Sequence, residues 1–352
     1  MRGQETRDWL EKIVPTHENL TGSIKALITN VLDQRGIDYL SIDGRTKNIS
    51  SAIEKIDNKK YSDPISQLTD ISGIRIITYF ESQVDLVSRV IEELFEIDGE
   101  NSLNRDQLLG DDRIGYRSVH FVCSLGTERE ELAEYQLYSG LKFEIQVRTV
   151  LQHAWAELAH DRSYKFSGEL PPKLQRQLNL YSGMLEVVDG GFDSIAKELD
   201  EYQDIVDSGD LSTFMEDEID SINLNKFVVE SAESNGLGPF VDTGIDQDIV
   251  REIKSYGLSK ILDIFELITE DFIKVYKKYN VDDTNVGFLR SLLLYNDIEK
   301  YFANSYEHGG WGMIGNVDVD FLSSKFERNK VTQLLEDHGI KIDYDSISID
   351  EL

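Results

Sequence analysis

The sequence predicts an α/β (α+β) fold, in which a mixed β-sheet flanked by helices is followed by a mainly helical C-terminal region. Three observations support this prediction. In the first half of the 352-residue chain, short β-branched runs alternate with segments of helical periodicity. The pair Pro171-Pro172 ends that pattern, because neither proline has a backbone donor and each restricts the residue before it. Beyond the pair, apolar residues recur at steps of three and four, the period of one helix face.

In the first half, each element is predicted from the spacing of its apolar residues. Segments with a helical period are expected to form helices, and runs rich in Val, Ile, Tyr and Phe are expected to form strands. The predicted elements, in chain order, are helices over 17–35 and 50–60, a strand over 74–80, a helix over 84–95, strands over 119–125 and 141–147, and a helix over 150–164.

Two apolar stripes in the second half predict long helices, and a glycine-rich stretch predicts a turn. We expect the first of these helices to be interrupted near Gly190-Gly191, since glycine weakens a helix interior. The elements are a helix over 174–202, a helix over 261–279 and a turn over 309–316. The acidic, serine-rich passage between the two helices separates two predicted domains, residues 1–206 and 215–352.

Composition excludes several classes of protein. The chain is 40% hydrophobic with 5 Pro, as in globular proteins, and no apolar run approaches the roughly 20 residues that span a bilayer. A single cysteine, Cys123, excludes an internal disulfide, and the charged start of the chain lacks a signal-peptide core. We therefore expect a soluble, cytoplasmic protein with no membrane partner.

The net charge of −30 weighs against a general nucleic-acid-binding surface, because binding to phosphate backbones depends on clustered cations. The excess of acids is larger in the second half of the chain. A solvated acidic surface explains this excess, and a docking surface for a basic protein partner is the alternative. Neither explanation excludes a local basic pocket.

The most informative segment is Phe143–Thr149, where an acid, an amide and a base alternate along a predicted strand. Residues two apart on a strand point the same way, so Glu144, Gln146 and Arg148 share one face. The three apolar residues between them are expected to face the core. This pattern predicts one wall of a site for a phosphorylated ligand.

A basic segment, Gly44-Arg45-Thr46-Lys47, is expected to form a loop that leads into a helix. Ser51 and Lys55 follow Lys47 at steps of four, so they share one side of that helix. Arg and Lys at such positions suit a polyphosphate. The segment lacks the glycine and lysine spacing of a Walker A loop, and a solvated basic turn is the alternative.

Two further segments complete the set of candidates. Asp70 lies at the entry to a predicted strand that carries Arg75; paired with Glu144, it forms a possible two-carboxylate Mg²⁺ site. A strand-end ion pair is the alternative. Tyr116, directly after a glycine, is placed to stack on a base, and His120 is close enough along the strand to reach the same ligand. A tyrosine at a strand edge is the alternative.

Together, these four segments resemble the synthetase domain of the RelA/SpoT family, the alarmone synthetases. All occur in the family's order over about residues 40–165. The matching motifs are Gly44-Arg45-x-Lys47-x-x-x-Ser51-x-x-x-Lys55, Asp70-x-x-x-Ile74-Arg75, Gly115-Tyr116-Arg117-Ser118-x-His120, and Glu144-Ile145-Gln146-Val147-Arg148-Thr149 followed by His153-Ala154-Trp155-Ala156-Glu157 and His160.

The resemblance implies a nucleotidyltransferase-like synthetase fold over the first domain and transfer of the β,γ-pyrophosphate of ATP to the 3′-hydroxyl of a guanosine nucleotide, which makes (p)ppGpp. It implies Mg²⁺ as cofactor and a second carboxylate that places the metal or activates the hydroxyl. The implied roles are Asp70 and Glu144 as catalytic residues and metal ligands, Arg45, Lys47, Ser51, Lys55 and Arg75 as ATP-binding residues, and Tyr116, His120, Gln146 and Arg148 as acceptor-binding residues.

The sequence departs from the family just before the Gly115-Tyr116 motif. Many members carry a lysine-containing acceptor loop there, whereas residues 104–113 hold no Lys, no Pro and several acids. Toxic small members resemble this chain in that respect, and some modify the 3′ end of tRNA or adenosine nucleotides. These acceptors, and a catalytically silent nucleotide sensor, are the alternative functions.

Two expectations concern the rest of the chain. The His160-Asp161 dipeptide suggests the hydrolase of longer family members, but that activity needs further upstream His and Asp ligands, and His17 is the sole histidine before the synthetase motifs. We expect no hydrolase activity. The C-terminal domain is expected to be a helical accessory module, with a regulatory module that binds a protein partner as the alternative.

Overall fold

A computed structural model describes residues 3–104, 118–165, 171–279, 281 and 284–344. The chain divides into two compact units, Met1–Glu198 and Leu199–Leu352. Among the described residues, no helix combines the length and the apolar character that crossing a bilayer requires. The assignment of a synthetase domain to 1–206 and an accessory domain to 215–352 stays a prediction.

The first unit contains a six-stranded mixed sheet with helices, as the sequence predicts. The strand order is β1-β2-β6-β5-β3, with β4 also paired to β5; β2 and β6 are parallel and the other pairs are antiparallel. The strands are β1 Ser41–Thr46, β2 Ser72–Thr78, β3 Glu96–Ile97, β4 Leu103–Asn104, β5 Val119–Ser124 and β6 Phe143–Thr149. The helices of the unit are α1 Gly3–Gln34, α2 Ile49–Lys59, α3 Pro64–Gln67, α4 Glu81–Leu94, α5 Thr127–Glu130 and α6 Val150–Lys165, with a 3₁₀ turn at Gln136–Tyr138.

One face of the sheet packs against α1 and α4 and forms the core of this unit. Phe143, Ile145 and Val147 of β6 are fully buried there, together with Ile74 and Ile76 of β2. Each fully buried side chain of this size contributes about 1.5–3 kcal/mol relative to an exposed one. Because strand side chains alternate, the residues between them point to the opposite face, where the polar residues of the sequence motifs lie.

Helix α7, Pro172–Ser208, runs without a break through Gly190-Gly191, so the predicted interruption is wrong. Tertiary contacts hold the helix on both sides of the glycines. Asp189 accepts a hydrogen bond of 2.5 Å from Thr149 Oγ1, and Asp193 accepts one of 2.8 Å from the Ser82 backbone N–H. These contacts outweigh the roughly 1 kcal/mol that each glycine costs in a helix interior.

Two other predictions in the first unit need correction. Residues 41–46 form the edge strand β1, so Arg45 lies on a strand and not in a loop. Helix α1 begins at residue 3 rather than 17. Its first turns pack Leu10 and Val14 against a small separate apolar cluster that includes α2, a long-range contact that local periodicity does not reveal.

The second unit is mainly helical and has one continuous apolar core. Its helices are α8 Leu211–Phe214, α9 Ser221–Asn235, α10 Gln247–Ser255, α11 Ile261–Phe265, α12 Glu270–Tyr279, α13 Asn285–Asn296, α14 Ile298–Asn304, α15 Tyr306–Gly309, α16 Asn316–Ser323 and α17 Arg328–Asp337. Strands β7 Met313–Gly315 and β8 Lys341–Asp343 pair in parallel. The stripe predicted as one helix over 261–279 is therefore two helices, and the predicted turn over 309–316 contains a strand.

Candidate active site

The polar face of the sheet brings together residues from three strands. The pairing of β1, β2 and β6 aligns them in two rows that cross the sheet. One row is Arg45, Gly73 and Glu144; the next is Asp43, Arg75 and Gln146. Gly73 contributes no side chain, so the space between its two neighbours in the first row stays open.

These rows line a cavity of about 540 Å³. Its wall consists of Asp43, Arg45, Lys47, Asp70, Gly73, Ile74, Arg75, Glu144 and Gln146. In a chain of net charge −30, three cationic side chains converge on one concave surface beside the acids. Such a combination suits a phosphorylated ligand together with a divalent cation.

Asp70 is the acceptor for two lysines. Lys47 Nζ and Lys55 Nζ each lie 2.5 Å from Asp70 Oδ2. The other carboxylate oxygen, Oδ1, is buried and has no hydrogen-bond partner among the described residues. An orphaned buried acceptor costs free energy unless something binds it, so Oδ1 is the position where an added cation or donor fits.

Glu144 is held by its neighbours on the same face. Its Oε1 accepts a hydrogen bond of 2.7 Å from Gln146 Nε2 and lies 3.1 Å from His120 Nδ1. Burial raises the pKa of the Glu144 carboxyl, but the hydrogen bonds from His120 and Gln146 outweigh burial and lower it to about 2. Glu144 is therefore an anion at neutral pH, the form that binds a metal or accepts a proton.

A chain of hydrogen bonds runs along β6 through alternate residues. Arg148, 4% exposed, donates from Nη2 to Gln146 Oε1, and Gln146 donates in turn to Glu144. His120, which contacts Glu144 through Nδ1, is held at its other ring nitrogen as well: Nε2 lies 2.8 Å from Ser118 Oγ. The side chains predicted to bind the acceptor thus also fix the orientation of Glu144.

Arg75 is positioned at the other end of the cavity by α6. Its Nη1 donates a 3.0 Å hydrogen bond to Glu157 Oε1, and His153 Nδ1 lies 3.7 Å from the same oxygen. Burial, with the nearby charges of Arg75 and Arg148, lowers the pKa of His153. His153 is consequently neutral at neutral pH, and Glu157 is left to orient Arg75.

The carboxylates fit the predicted cation as a pair. Among the described residues, no group of three or more His, Cys, Asp and Glu side chains forms a closed metal cage. Mg²⁺ does not need one, since it is commonly held by one or two carboxylates together with substrate phosphates and water. Asp70 Oδ1 and the ionised Glu144, both on the cavity wall, are the ligands that the sequence predicts, and Asp43 adds a third carboxylate to the same wall.

Not every predicted residue lies on the cavity wall. Ser51 is in the first turn of α2, where its backbone N–H donates to the side chain of Asn48. Lys55, His120 and Arg148 act through Asp70, Glu144 and Gln146. Tyr116 lies outside the described residues, as do residues 105–113 of the acceptor loop and the side chain of His160.

Sequence reasoning missed two residues of the wall, Asp43 and Gly73. Asp43 is two residues before Arg45 on the same strand, so alternation would have placed it on the polar face if β1 had been recognised. Gly73 falls at an unspecified position of the motif Asp70-x-x-x-Ile74-Arg75, and its use as a gap depends on its neighbours in the sheet.

Comparisons with known proteins agree with the motifs. The model of a protein family described as a region found in RelA/SpoT proteins matches residues 44–169. GTP pyrophosphokinase YjbM of Bacillus subtilis (strain 168) is 30% identical over 178 residues, which span 49% of this chain and 77% of YjbM. GTP pyrophosphokinase YwaC of the same organism is 28% identical over 160 residues, 44% of this chain and 73% of YwaC. Among solved structures, small alarmone synthetase 1 from Bacillus subtilis aligns with a TM-score of 0.46 and 23% identity, over 55% of this chain and 98% of that one.

Proposed function

This chain belongs to the RelA/SpoT family and is an enzyme of the pyrophosphotransferase type, and from that premise we propose that it transfers the β,γ-pyrophosphate of ATP to the 3′-hydroxyl of a guanosine nucleotide. The reaction breaks the α–β phosphoanhydride bond, forms a bond between the 3′-oxygen and the β-phosphorus, and releases AMP. Glu144 or a water molecule accepts the proton of the 3′-hydroxyl.

The observation that carries the proposal is the placement of two carboxylates and a group of cations on one cavity. Asp70 and Glu144 line it together with Arg45, Lys47 and Arg75. Phosphoryl-type transfer needs positioning and neutralisation of charge more than covalent catalysis. This set of side chains can supply both, while an overall charge of −30 would otherwise repel ATP.

The residues divide into two groups along the sheet. Lys47, Lys55 and Arg45 lie on the side of β1 and α2, where the donor phosphates are expected. Glu144 and Gln146 on β6 lie next to His120 on β5, where the acceptor hydroxyl is expected. One N–H of the Gln146 amide binds Glu144, which leaves its second N–H for the acceptor.

We propose Mg²⁺ as the cofactor, held by Asp70 Oδ1 and Glu144. When bound, the ion neutralises charge that develops on the phosphates. Lys47 and Lys55 hold the second oxygen of Asp70, so the carboxylate presents its free oxygen in a fixed direction. Glu144 is fixed by Gln146 and His120, which both contact its Oε1.

A second candidate acceptor follows from the sequence. Residues 104–113 hold three acids, two arginines and no lysine, so they lack the lysine that many family members offer to the 5′-phosphates of a free guanosine nucleotide. The 3′ end of tRNA, or an adenosine nucleotide, is the alternative acceptor. The charge of −30 weighs against a large contact surface for tRNA, so contact with tRNA would be limited to its terminal nucleotides.

The test incubates the full chain with γ-labelled ATP and, separately, GDP, GTP, ATP and bulk tRNA. A labelled 3′-pyrophosphate of GDP or GTP supports the proposal. Labelled tRNA alone, or a labelled 3′-pyrophosphate of ATP alone, replaces its acceptor. The Glu144→Gln variant should lose orders of magnitude in rate, since the metal and hydroxyl lose their common anchor.

A matched control is Glu96→Gln, which neutralises an exposed acid on the edge strand β3 of the same sheet. It should retain the full rate. If no acceptor is labelled, and Glu144→Gln binds ATP as the unchanged chain does, the chain is a nucleotide sensor and the proposal is wrong. A protein partner for the acidic C-terminal domain stays a separate prediction.

A further inference from the structure

A second cavity, of about 430 Å³, lies within the unit Leu199–Leu352. It is lined by apolar side chains of several helices and by a small number of polar groups, among them Arg290, Ser291 and Thr243. A volume of this size with a few fixed polar groups is typical of a site for a small molecule. The pyrophosphotransfer proposed above makes no use of it.

Arg290 of α13 is held rigidly at the wall of this cavity. Its Nε and Nη2 form a forked interaction with Glu252 of α10, with Nη2 2.6 Å from Oε1. Glu252 is fully buried and also accepts a 2.7 Å hydrogen bond from Tyr301, whose hydroxyl accepts one from Trp311 Nε1. A network that occupies the carboxylate on all sides fixes the plane of the guanidinium.

The remaining nitrogen of Arg290 is available to a ligand. Its Nη1 has no hydrogen-bond partner among the described residues, and it is not among the buried atoms that lack one. Since Arg290 lines the cavity, this nitrogen is an oriented donor for one oxygen of a carboxylate.

The other ionisable side chains of the cavity are acids. Asp246 caps α10 through Oδ1, which accepts hydrogen bonds from the backbone N–H groups of Asp248 and Ile249. Its Oδ2 has no hydrogen bond within the described part of the chain. Asp318, half-buried on the same wall, accepts a 3.1 Å hydrogen bond from the Gly315 backbone N–H.

This pattern of charge selects among ligands. Glu252 already compensates Arg290, so Asp246 leaves a net negative charge on this part of the wall, and a polyphosphate would be repelled. A lone carboxylate would meet the same repulsion, and a lone amine would leave Arg290 Nη1 without a partner. A molecule with both groups matches the guanidinium of Arg290 and the carboxylate of Asp246 at once.

We propose that this cavity binds a small zwitterion, with one carboxylate on Arg290, one ammonium group on Asp246, and an apolar body. The apolar part of the wall, which includes Trp311, Phe321 and Leu294, accommodates that body. Free amino acids with apolar side chains are the chemical class that has this combination of groups.

The test measures binding to the full chain by isothermal titration calorimetry and ligand-observed NMR. The probes are L-leucine, L-methionine, L-phenylalanine and L-tryptophan, with 3-phenylpropionate and 2-phenylethylamine as relatives that lack one charge. At least one zwitterion should bind, and each single-charge relative should bind about tenfold more weakly or worse than its parent. Absence of binding by all four zwitterions, or equal binding of phenylalanine and phenylpropionate, would overturn the proposal.

Variants assign the binding to this cavity. Asp246→Asn should weaken binding of the zwitterion about tenfold and leave phenylpropionate unaffected or tighter. The control Asp248→Asn changes an acid in the same turn whose partner is Arg251 and which does not line the cavity. Arg290 itself is not substituted, because its loss would leave Glu252 buried and unpaired and would destabilise the unit. The second variant is therefore Val286→Trp, which fills the cavity and should abolish binding of every probe. Unchanged binding in both Asp246→Asn and Val286→Trp would place the ligand elsewhere.

Discussion

Gly73 of β2 lies directly beside Glu144 of β6 in the parallel pairing of the two strands. Among the described residues, a Cβ at position 73 would have one neighbouring atom within 4 Å, the Arg45 carbonyl oxygen at 3.6 Å. The glycine therefore keeps open the space between the cation of β1 and the carboxylate of β6. This gap lies on the wall of the proposed catalytic cavity.

The gap predicts a graded response to side-chain size. Gly73→Ala fits with ordinary contact and should retain most of the pyrophosphotransfer rate, whereas Gly73→Val fills the space that the substrate needs and should lower the rate about 100-fold or more. Both variants should fold, since valine favours strands. Steady-state rates and thermal unfolding measured together check this, and a Val variant that is fully active would show that the gap holds no substrate.

Lys55 reaches Asp70 from α2, and its loss should affect ATP more than the fold. Lys55→Met removes a cation from the donor side and one of the two hydrogen bonds that orient Asp70. We expect kcat/KM for ATP to fall about tenfold or more, the scale of one charge-assisted contact. Lys59→Met, on the exposed side of the same helix, is the control and should leave kcat/KM unchanged. Equal kcat/KM values for the two variants would show that Lys55 does not contribute to the use of ATP.

Asp98 gives the first unit a pH-dependent contribution to stability. Hydrogen bonds from Lys142 and Asn101 lower the pKa of Asp98 to about 2, below the value of about 3.9 expected in the unfolded chain. The contribution is therefore present above about pH 4 and is lost as the pH falls toward 2. Lys142→Met should lower the free energy of unfolding by about 1 kcal/mol at neutral pH, given the partial exposure of the lysine.

Urea unfolding at several pH values measures this difference. It should shrink between about pH 4 and pH 2 as the Asp98 carboxylate is protonated. Lys12→Met, an exposed position on α1, provides the comparison. A difference that persists at acid pH would trace the effect to packing of the lysine chain and not to its charge.

Gly309 packs directly against the buried carboxylate of Glu252 in the second unit. A Cβ at this position would lie 2.3 Å from Glu252 Oε1, and the carboxylate cannot move because Arg290 and Tyr301 hold it. Gly309→Ala should therefore cost about 3–5 kcal/mol of unfolding free energy, as other disruptions of a buried ion pair do. At Gly312, a Cβ would have no atom of the described residues within 4 Å, so Gly312→Ala should have almost no effect. Equal thermal stability of both variants would contradict this account of the network.

The motifs of the first unit could be predicted because their physical signals are local. Alternation along 143–149 correctly placed three apolar side chains in the core and three polar ones on one face. Asp70 and Glu144 come from separate segments, which the sequence pairs as two carboxylates for Mg²⁺, and the structure brings both to one cavity. The strand that carries Arg45 was missed, because a short edge strand with Asp and Gly has no apolar alternation to reveal it.

The sequence by itself determined the fold class, the family and the identity of the charged residues, since periodicity and motif spacing depend on neighbours along the chain. The tertiary structure alone decided that α7 continues through two glycines, that Gly73 opens the wall beside Glu144, and that Glu252 fixes Arg290. Each of these depends on strand register or burial between residues far apart in sequence. Such pairings are chosen by the packing of the whole unit, and no local pattern encodes them.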